Sequence, residues 1–559
     1  QAFVALIADE QRRVSTLALG RVMAGAGQLL SAAELLLPVA PLEGAQLAVR
    51  AADGLVERGA LEDAEALYAR AASLLEGAQK SVVLEAWGRV LALLGDYRGA
   101  VRRLLEAARR AGGSKAASAN RSSKRAALAL EAARLLIKVG RARSTRALLD
   151  VARASPETAA GAEASLAELY VATGRAADAL ELGRSVLAER TTDDASSLTL
   201  RQAMGKALLV QGQAAEAQKL FADNAERATK LGETRIVALA RLNEGVAAYK
   251  RGDRDRAITC WESTPPESRP LHAHAEANLG SLYAESGDFE LALGHLTRAL
   301  SAFSRFGSLR EVAMAASNLA RLHHFLGDTE RAAELSEHSL RQARRLGDGY
   351  LEASAQLNLG ALAVDSREYP EARRMLEAAR VGFEALGNDA WAALAAAWKA
   401  RAHLQAGERA QAELELSRRS VEKGSASLQA ASLEVELTRT ELCLLNGDLL
   451  GAGRAASRAR EALLDKPDLE GPIRTYFLMG KLRLAANDLS GAQAEFSRAG
   501  RLLDELVARV PPVRRTAFLS LPRRAEVVAA VEPELRLPRA MASLAPRQTV
   551  ESMNGLVGR

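Results

Sequence analysis

The chain is poor in the residues that carry specialised chemistry. Its two cysteines, Cys260 and Cys443, are too few for a disulfide framework. Aromatics make up 4% and prolines number 15 in 559 residues, a balance that excludes an all-β fold, since strands draw on aromatic and β-branched side chains. No run approaches the roughly eighteen apolar residues of a membrane span. A Gly-x-x-x-x-Gly-Lys-Ser/Thr phosphate loop, a His-Glu-x-x-His helix, a paired-Cys motif and a Gly-x-Ser-x-Gly elbow are all missing. The closest of the seven histidines, His272 with His274 and His323 with His324, lack the spacing of three or four that puts two imidazoles on one helix face. No catalysis, metal or cofactor is therefore expected of this region.

What the chain has in quantity is alanine, 116 residues, which suits closely packed helices. The net charge of +6 is unevenly placed: residues 509–559 hold nine Arg and four Glu, a net +5, leaving +1 for the rest. A neutral body argues against a surface that tracks phosphates, so nucleic acid is not expected as its partner. Arg outnumbers Lys 63 to 12, a skew that fits a GC-rich coding sequence. The chain opens Gln1-Ala2-Phe3-Val4, with neither Met nor a signal peptide, as expected of a piece of a larger cytoplasmic protein.

Internal repetition decides the fold class. Turns at 27, 59, 95, 140, 174, 212, 252, 287, 327, 367, 407, 447 and 487 divide the chain into thirteen units, the last five intervals all 40 residues. Five residues after the turn the residue is Ala in twelve of the thirteen, among them Ala292, Ala332, Ala372, Ala412, Ala452 and Ala492, with Thr145 the exception. Seven residues before it stands Gly or Ala in twelve of thirteen, including Gly280, Ala320, Gly360, Ala400 and Gly480, with Thr440 the exception. Two small positions flanking a turn let antiparallel helices approach closely where they cross. A second breaker, at Gly232, Gly307, Gly347, Gly387 and Pro467, ends the second helix of many units. Each unit is thus expected to be a helix pair, and the whole an all-α solenoid.

Trp87-Gly88, Leu279-Gly280, Leu319-Ala320 and Leu359-Gly360 in the first helices, with Ala64 and Tyr68, Ala217 and Phe221, Ala257 and Trp261, and Ala492 and Phe496 in the second, resemble the tetratricopeptide repeat. The resemblance spans 1–506 and implies a right-handed superhelix of about thirteen helix pairs. The long unit and the Asn278, Asn318 and Asn358 triplets (Asn-Leu-Gly/Ala) are similar to long repeats of bacterial regulators of the maltose-activator type. That likeness implies a groove lined by the first helices, with Arg89, Lys206, Ser281, Arg321, Ala361, Arg401, Glu441 and Lys481 facing it, and a protein or peptide ligand. The basic bias of that row suits an acidic peptide or a carboxylate. The Lys/Asn carboxylate clamp of chaperone-binding relatives is not reproduced. His323 and His403, at a position where the family favours Tyr, are expected to pack or hydrogen-bond, and Cys443 in the same slot to be a buried small hydrophobe.

Three segments interrupt the pattern. Residues 112–125, rich in Gly, Ser and Ala, are expected to form a mobile loop, and Thr264–Pro270 a stiff link. Residues 507–550 are expected to be a Pro/Arg-rich linker with one short helix near 523–531, and Arg514, Arg515, Arg523 and Arg524, without interleaved aromatics or a helix-turn-helix, are not expected to bind nucleic acid. The end, Gly555-Leu556-Val557-Gly558-Arg559, resembles the opening of the AAA+ module of bacterial enhancer-binding transcription activators, so 551–559 is expected to be the stub of a following domain. Two readings of function follow: a sensory region that biases a neighbouring AAA+ or kinase module in signalling or transcription regulation, or a stand-alone assembly scaffold. The missing Met and the terminal motif favour the first.

Overall fold

The computed structural model describes residues 2–110, 118–138, 142–189, 193–305, 308–417, 426–463 and 468–531. Among these are 28 α-helices and no strand. The first 26 helices, from Ala2–Gly25 to Leu489–Arg509, form thirteen consecutive antiparallel pairs in the order the repeats require, an α-solenoid. By contacts the chain divides into two compact units: Gln1–Ala275 with Ser301–Leu309, and Glu276–Leu300 with Arg310–Arg559.

The turn chemistry is local. Twelve of the thirteen turn positions have φ between +60° and +84°, the left-handed conformation that ends a helix. Ten are Gly, while Arg367 and Asn487 adopt it at a steric cost; residue 140 lies outside the described residues. The residue after the turn closes the first helix and opens the second. Asp328 N–H donates to the His323 carbonyl at 2.9 Å, and the Asp328 carboxylate accepts from the Arg331 N–H. Asp253, Asp448 and Asp488 repeat this arrangement. The second breaker is likewise left-handed at Gly232, Gly347 and Gly387, whereas Gly307 and Pro467 lie outside the described residues.

Packing explains the two small positions. Every described Ala five residues after a turn is at most 2% exposed, and Thr145 in that place is 0% exposed. On the other side, the small residue is matched to its neighbour in the second helix. A Cβ added to Gly280 would come within 2.6 Å of Leu296 Cγ, at Gly360 within 2.5 Å of Leu376 Cγ, and at Gly480 within 2.6 Å of Phe496. Gly20, Gly88, Gly205 and Gly245 face Leu36, Leu104, Phe221 and Trp261 in the same way. Where the small residue is Thr440 or Ala320, the matching position is Ala456 or Ser336. Small opposite large keeps the interior at crystal-like density.

Two expectations about the interruptions are corrected. Residues 118–125 are not loop but the start of helix Ser118–Lys138, where Lys124 pairs with Glu85 at 3.2 Å. Ser and Asn are tolerated near a helix start because they satisfy free amide groups there. Residues 112–117 lie outside the described residues. The Thr264–Pro270 link is shorter than expected, because Pro270 sits in the first turn of helix Arg269–Ser286, where its missing N–H costs nothing.

Candidate functional site

In the second unit the chain's own C-terminal segment packs against the repeat helices. Helix Leu489–Arg509 is followed by a 3-10 turn, Pro512–Arg514, and by helices Arg515–Ser520 and Pro522–Ala530. The short helix expected near 523–531 is present as Pro522–Ala530, and several residues of this segment are buried. Phe518 is 0% and Arg524 1% exposed. Phe518 meets the ring of Phe325 edge-on, centroids 5.7 Å apart, within one apolar core that also holds Phe289, Leu433, Phe477 and Val527.

The arginines of this segment carry its specificity. Arg524 donates to the carbonyls of Phe325 (2.7 Å) and Phe518 (3.1 Å) and, through two nitrogens, to both carboxylate oxygens of Glu470 (3.1 and 3.3 Å). Arg523 donates to Asp365 at 3.3 Å, where His324 Nε2 also donates at 2.8 Å. Arg514 donates to Asp328 at 2.9 Å beside the His323 ring, and Arg509 to the Ser286 carbonyl at 3.1 Å. Burial pushes the Glu470 carboxyl up, but Arg524, Arg523 and Arg474 outweigh it and bring it down to about 2. Asp365 is held well below the carboxylate range by Arg523 and His324 against the same effect of burial. Removing one partner from such a buried pair typically costs about 3–5 kcal/mol, because the other charge is left unpaired.

Beside this segment is a cavity of about 480 Å³, a volume ordinary for small-molecule sites. One wall is apolar: Trp391, Leu394 and Trp398 from helix Asp389–Gln405, with Leu433, Leu437 and Leu357. The other carries Arg321, Arg474 and Arg523 with Glu285, Glu434, Asp468 and Glu470. Glu434 accepts from Arg474 at 2.5 Å and from Arg401 at 3.5 Å.

The residues expected to face a groove are placed unequally. Arg321 and Ala361 line the cavity. Arg401, 2% exposed, lies behind its wall and reaches it through Glu434. Glu441 acts on Arg401 and Arg474 through its charge. Lys481 stands 4.0 Å from Glu526 and 5.0 Å over the Phe477 ring. In the first unit Arg89 pairs with Glu85 and Glu131 at 2.8 and 3.0 Å, and Lys206 with Glu168 at 3.6 Å. His323 and His403 are both buried and hydrogen-bond to Asp328 and Glu408, while Cys443 is only half-buried.

Sequence reasoning missed Trp391, Trp398, Glu434, Glu470, Arg474 and Arg523. Two of the chain's four Trp on one face of one Ala-rich helix was a usable signal. Nothing comparable marked Arg523, which reaches Asp365 across 158 residues, whereas Arg474 pairs with Glu434 one repeat away. The segment 532–559, with its terminal Gly-Leu-Val-Gly-Arg, lies outside the described residues.

No helix among the described residues is long and apolar enough to cross a membrane. Compared with known proteins, residues 271–345 match the tetratricopeptide repeat model, a span that covers two successive helix pairs. No curated protein matches the chain by sequence. Among solved structures, a Rap protein complexed with competence and sporulation factor is similar at 14% identity and a TM-score of 0.44, over 69% of this chain and all of its own. The apo form of RapI is similar at 12% identity and a TM-score of 0.46, over 62% of this chain and 98% of its own.

Proposed function

We propose that this chain is a non-catalytic interaction region that takes a peptide or protein segment onto the inner face of its second unit, and that it serves as the sensory part of a bacterial regulator. The observation that carries the first half is the seating of residues 510–531: a non-repeat segment held by one buried aromatic and three arginines. A surface that binds its own short helices through side-chain-specific contacts has the chemistry to bind another such segment. The regulatory half rests on the long repeats and on the likeness of Gly555–Arg559 to an AAA+ opening.

A labelled peptide of residues 510–531, titrated into the full chain, tests the binding half. The Phe518→Ala/Arg524→Met variant, whose own segment is loosened, should bind it saturably and more tightly than the unaltered chain. Absence of binding to either refutes the reading. The regulatory half predicts that the same peptide alters the activity of a neighbouring module in the longer protein, and an unaltered activity leaves a scaffold.

A further inference from the structure

We propose that the 480 Å³ cavity of the second unit is a site for a small monocarboxylic acid on an aromatic or branched apolar body, with Arg321 receiving the carboxylate. This deepens the reading of the inner face as a binding face and rests on it.

Arg321 is the cation of this site without an ion-pair partner among the described residues. Its one hydrogen bond is a long contact, 3.5 Å, to Asn318. Its surface is exposed, yet it lines a cavity, and enough protein surrounds it that lost hydration lowers its pKa. A guanidinium that lines a cavity can take an anion bidentately, though its exposure screens the attraction. The other charges of the wall are engaged. Glu434 is taken by Arg474 and Arg401, Glu470 by Arg524, and Asp468 accepts the N–H groups of Glu470 and Gly471 while burial raises its pKa. In the directly paired cluster four guanidinium groups, those of Arg401, Arg474, Arg523 and Arg524, meet three carboxylates, those of Asp365, Glu434 and Glu470. Arg474 Nη2 and Arg523 Nε are buried without a hydrogen-bond partner. Across the whole lining Arg321, Arg474 and Arg523 face Glu285, Glu434, Asp468 and Glu470, so an added anion is drawn by Arg321 and the two unpartnered guanidinium nitrogens rather than by a net positive charge. The Glu285 charge acts on Arg321, which penalises a dianion such as phosphate relative to a monocarboxylate.

The apolar wall sets the body of the ligand. Trp391 and Trp398 are half-buried and line the cavity. The other two tryptophans donate their indole N–H, Trp87 to Glu65 and Trp261 to the Leu242 carbonyl. Trp391 and Trp398 have no such partner among the described residues, so the cavity offers unused indole donors, while Arg523 stands 4.8 Å over the Trp398 ring and Trp391 stacks on Phe383 with centroids 5.9 Å apart. A small acid fits this half-open volume, whereas a longer peptide would have to displace residues 510–531.

The test uses the full chain and three probes: 3-phenylpropanoate, its neutral amide, and inorganic phosphate, followed by calorimetry and by the fluorescence of the cavity tryptophans. The acid should bind saturably, at least about tenfold tighter than the amide or phosphate. Arg321→Gln should weaken the acid by a similar factor with its thermal midpoint unchanged. Equal affinity for acid and amide, equal affinity for phosphate, an unaffected Arg321→Gln variant, or no saturable binding by about 10 mM each overturns the assignment. Exchange of the 510–531 peptide without acid binding removes the carboxylate site and leaves the peptide reading; loss of both removes both.

Discussion

Two glycines in one helix pair are expected to respond to the same substitution with opposite signs. Gly280, in helix Arg269–Ser286, faces Leu296 so closely that a Cβ would lie 2.6 Å from its Cγ and 3.0 Å from its backbone nitrogen. Leu296 is 1% exposed, and a backbone atom cannot rotate away, so Gly280→Ala forces the helices apart. Overpacking of this kind costs about 1–3 kcal/mol, which exceeds the gain of roughly 0.5–1 kcal/mol from replacing a helical Gly by Ala. Gly294, in the facing helix Phe289–Arg305, would meet nothing nearer than the movable end of Arg298, at 3.4 Å. Gly294→Ala therefore keeps the helix-propensity gain and should stabilise by about 0.5–1 kcal/mol. Urea titration with hydrogen exchange of residues 269–305 reads both. The same sign for both variants would falsify the account of the small positions.

Three further outcomes follow from the same contacts. Arg367, with φ +63°, should be stabilised by replacement with Gly by about 0.5–1 kcal/mol, since the left-handed strain of roughly 1–2 kcal/mol exceeds the added chain entropy; a loss on denaturation would refute the turn's role. Burial and the neighbouring Glu505 push the Asp504 carboxyl up to about 6, and its Oδ1 is buried without a partner. The folded chain thus holds this proton more tightly than the unfolded one, so the contribution is present below about pH 4 and is lost as pH rises through about 6. Asp504→Asn should flatten that part of the stability profile and stabilise the chain above pH 6. Arg524→Met leaves Glu470 buried without its bidentate partner and should cost about 3–5 kcal/mol, seen as faster proteolysis within 510–531; an unchanged cleavage rate would show the segment is held by apolar contact alone.

The array was legible because its determinants are local. A left-handed turn, an Asp that caps the next helix and an Ala at a crossing each act within ten residues. The register even carried through Arg367 and Asn487, where Gly is absent and the left-handed turn persists. The candidate site was half-legible. Arg321 and Arg401 lie on the row that the repeat pattern assigns to the inner face, but the arginines that reach Asp365 and Glu470 come from a segment outside the repeats. Residues 510–531 carry prolines and arginines, the composition of a linker, and become structure only because Asp328, Asp365 and Glu470 stand where those arginines arrive. Charge complementarity between distant segments leaves no local trace.

One polar rule does follow the period. Side chains of successive first helices meet one repeat apart: His324 with Asp365, Asn358 with Ser317, Arg474 with Glu434 and Asn243 with Gln202, at separations of 40 or 41 residues. At the position just after the small residue, Lys206 finds Glu168 one unit back, and Arg401 and Lys481 flank Glu441. Arg321 alone among the cations of this row in the second unit stands between Ser281 and Ala361, neither of which can pair with it. Its lack of a partner is thus a consequence of register. Ala361 lines the same cavity, so Ala361→Glu would set a carboxylate one repeat from Arg321. That variant should raise the Arg321 pKa, abolish binding of 3-phenylpropanoate and leave exchange of the 510–531 peptide intact. Undiminished acid binding in a folded Ala361→Glu chain would mean that the anion is held elsewhere on the inner face, by Arg474 or Arg523.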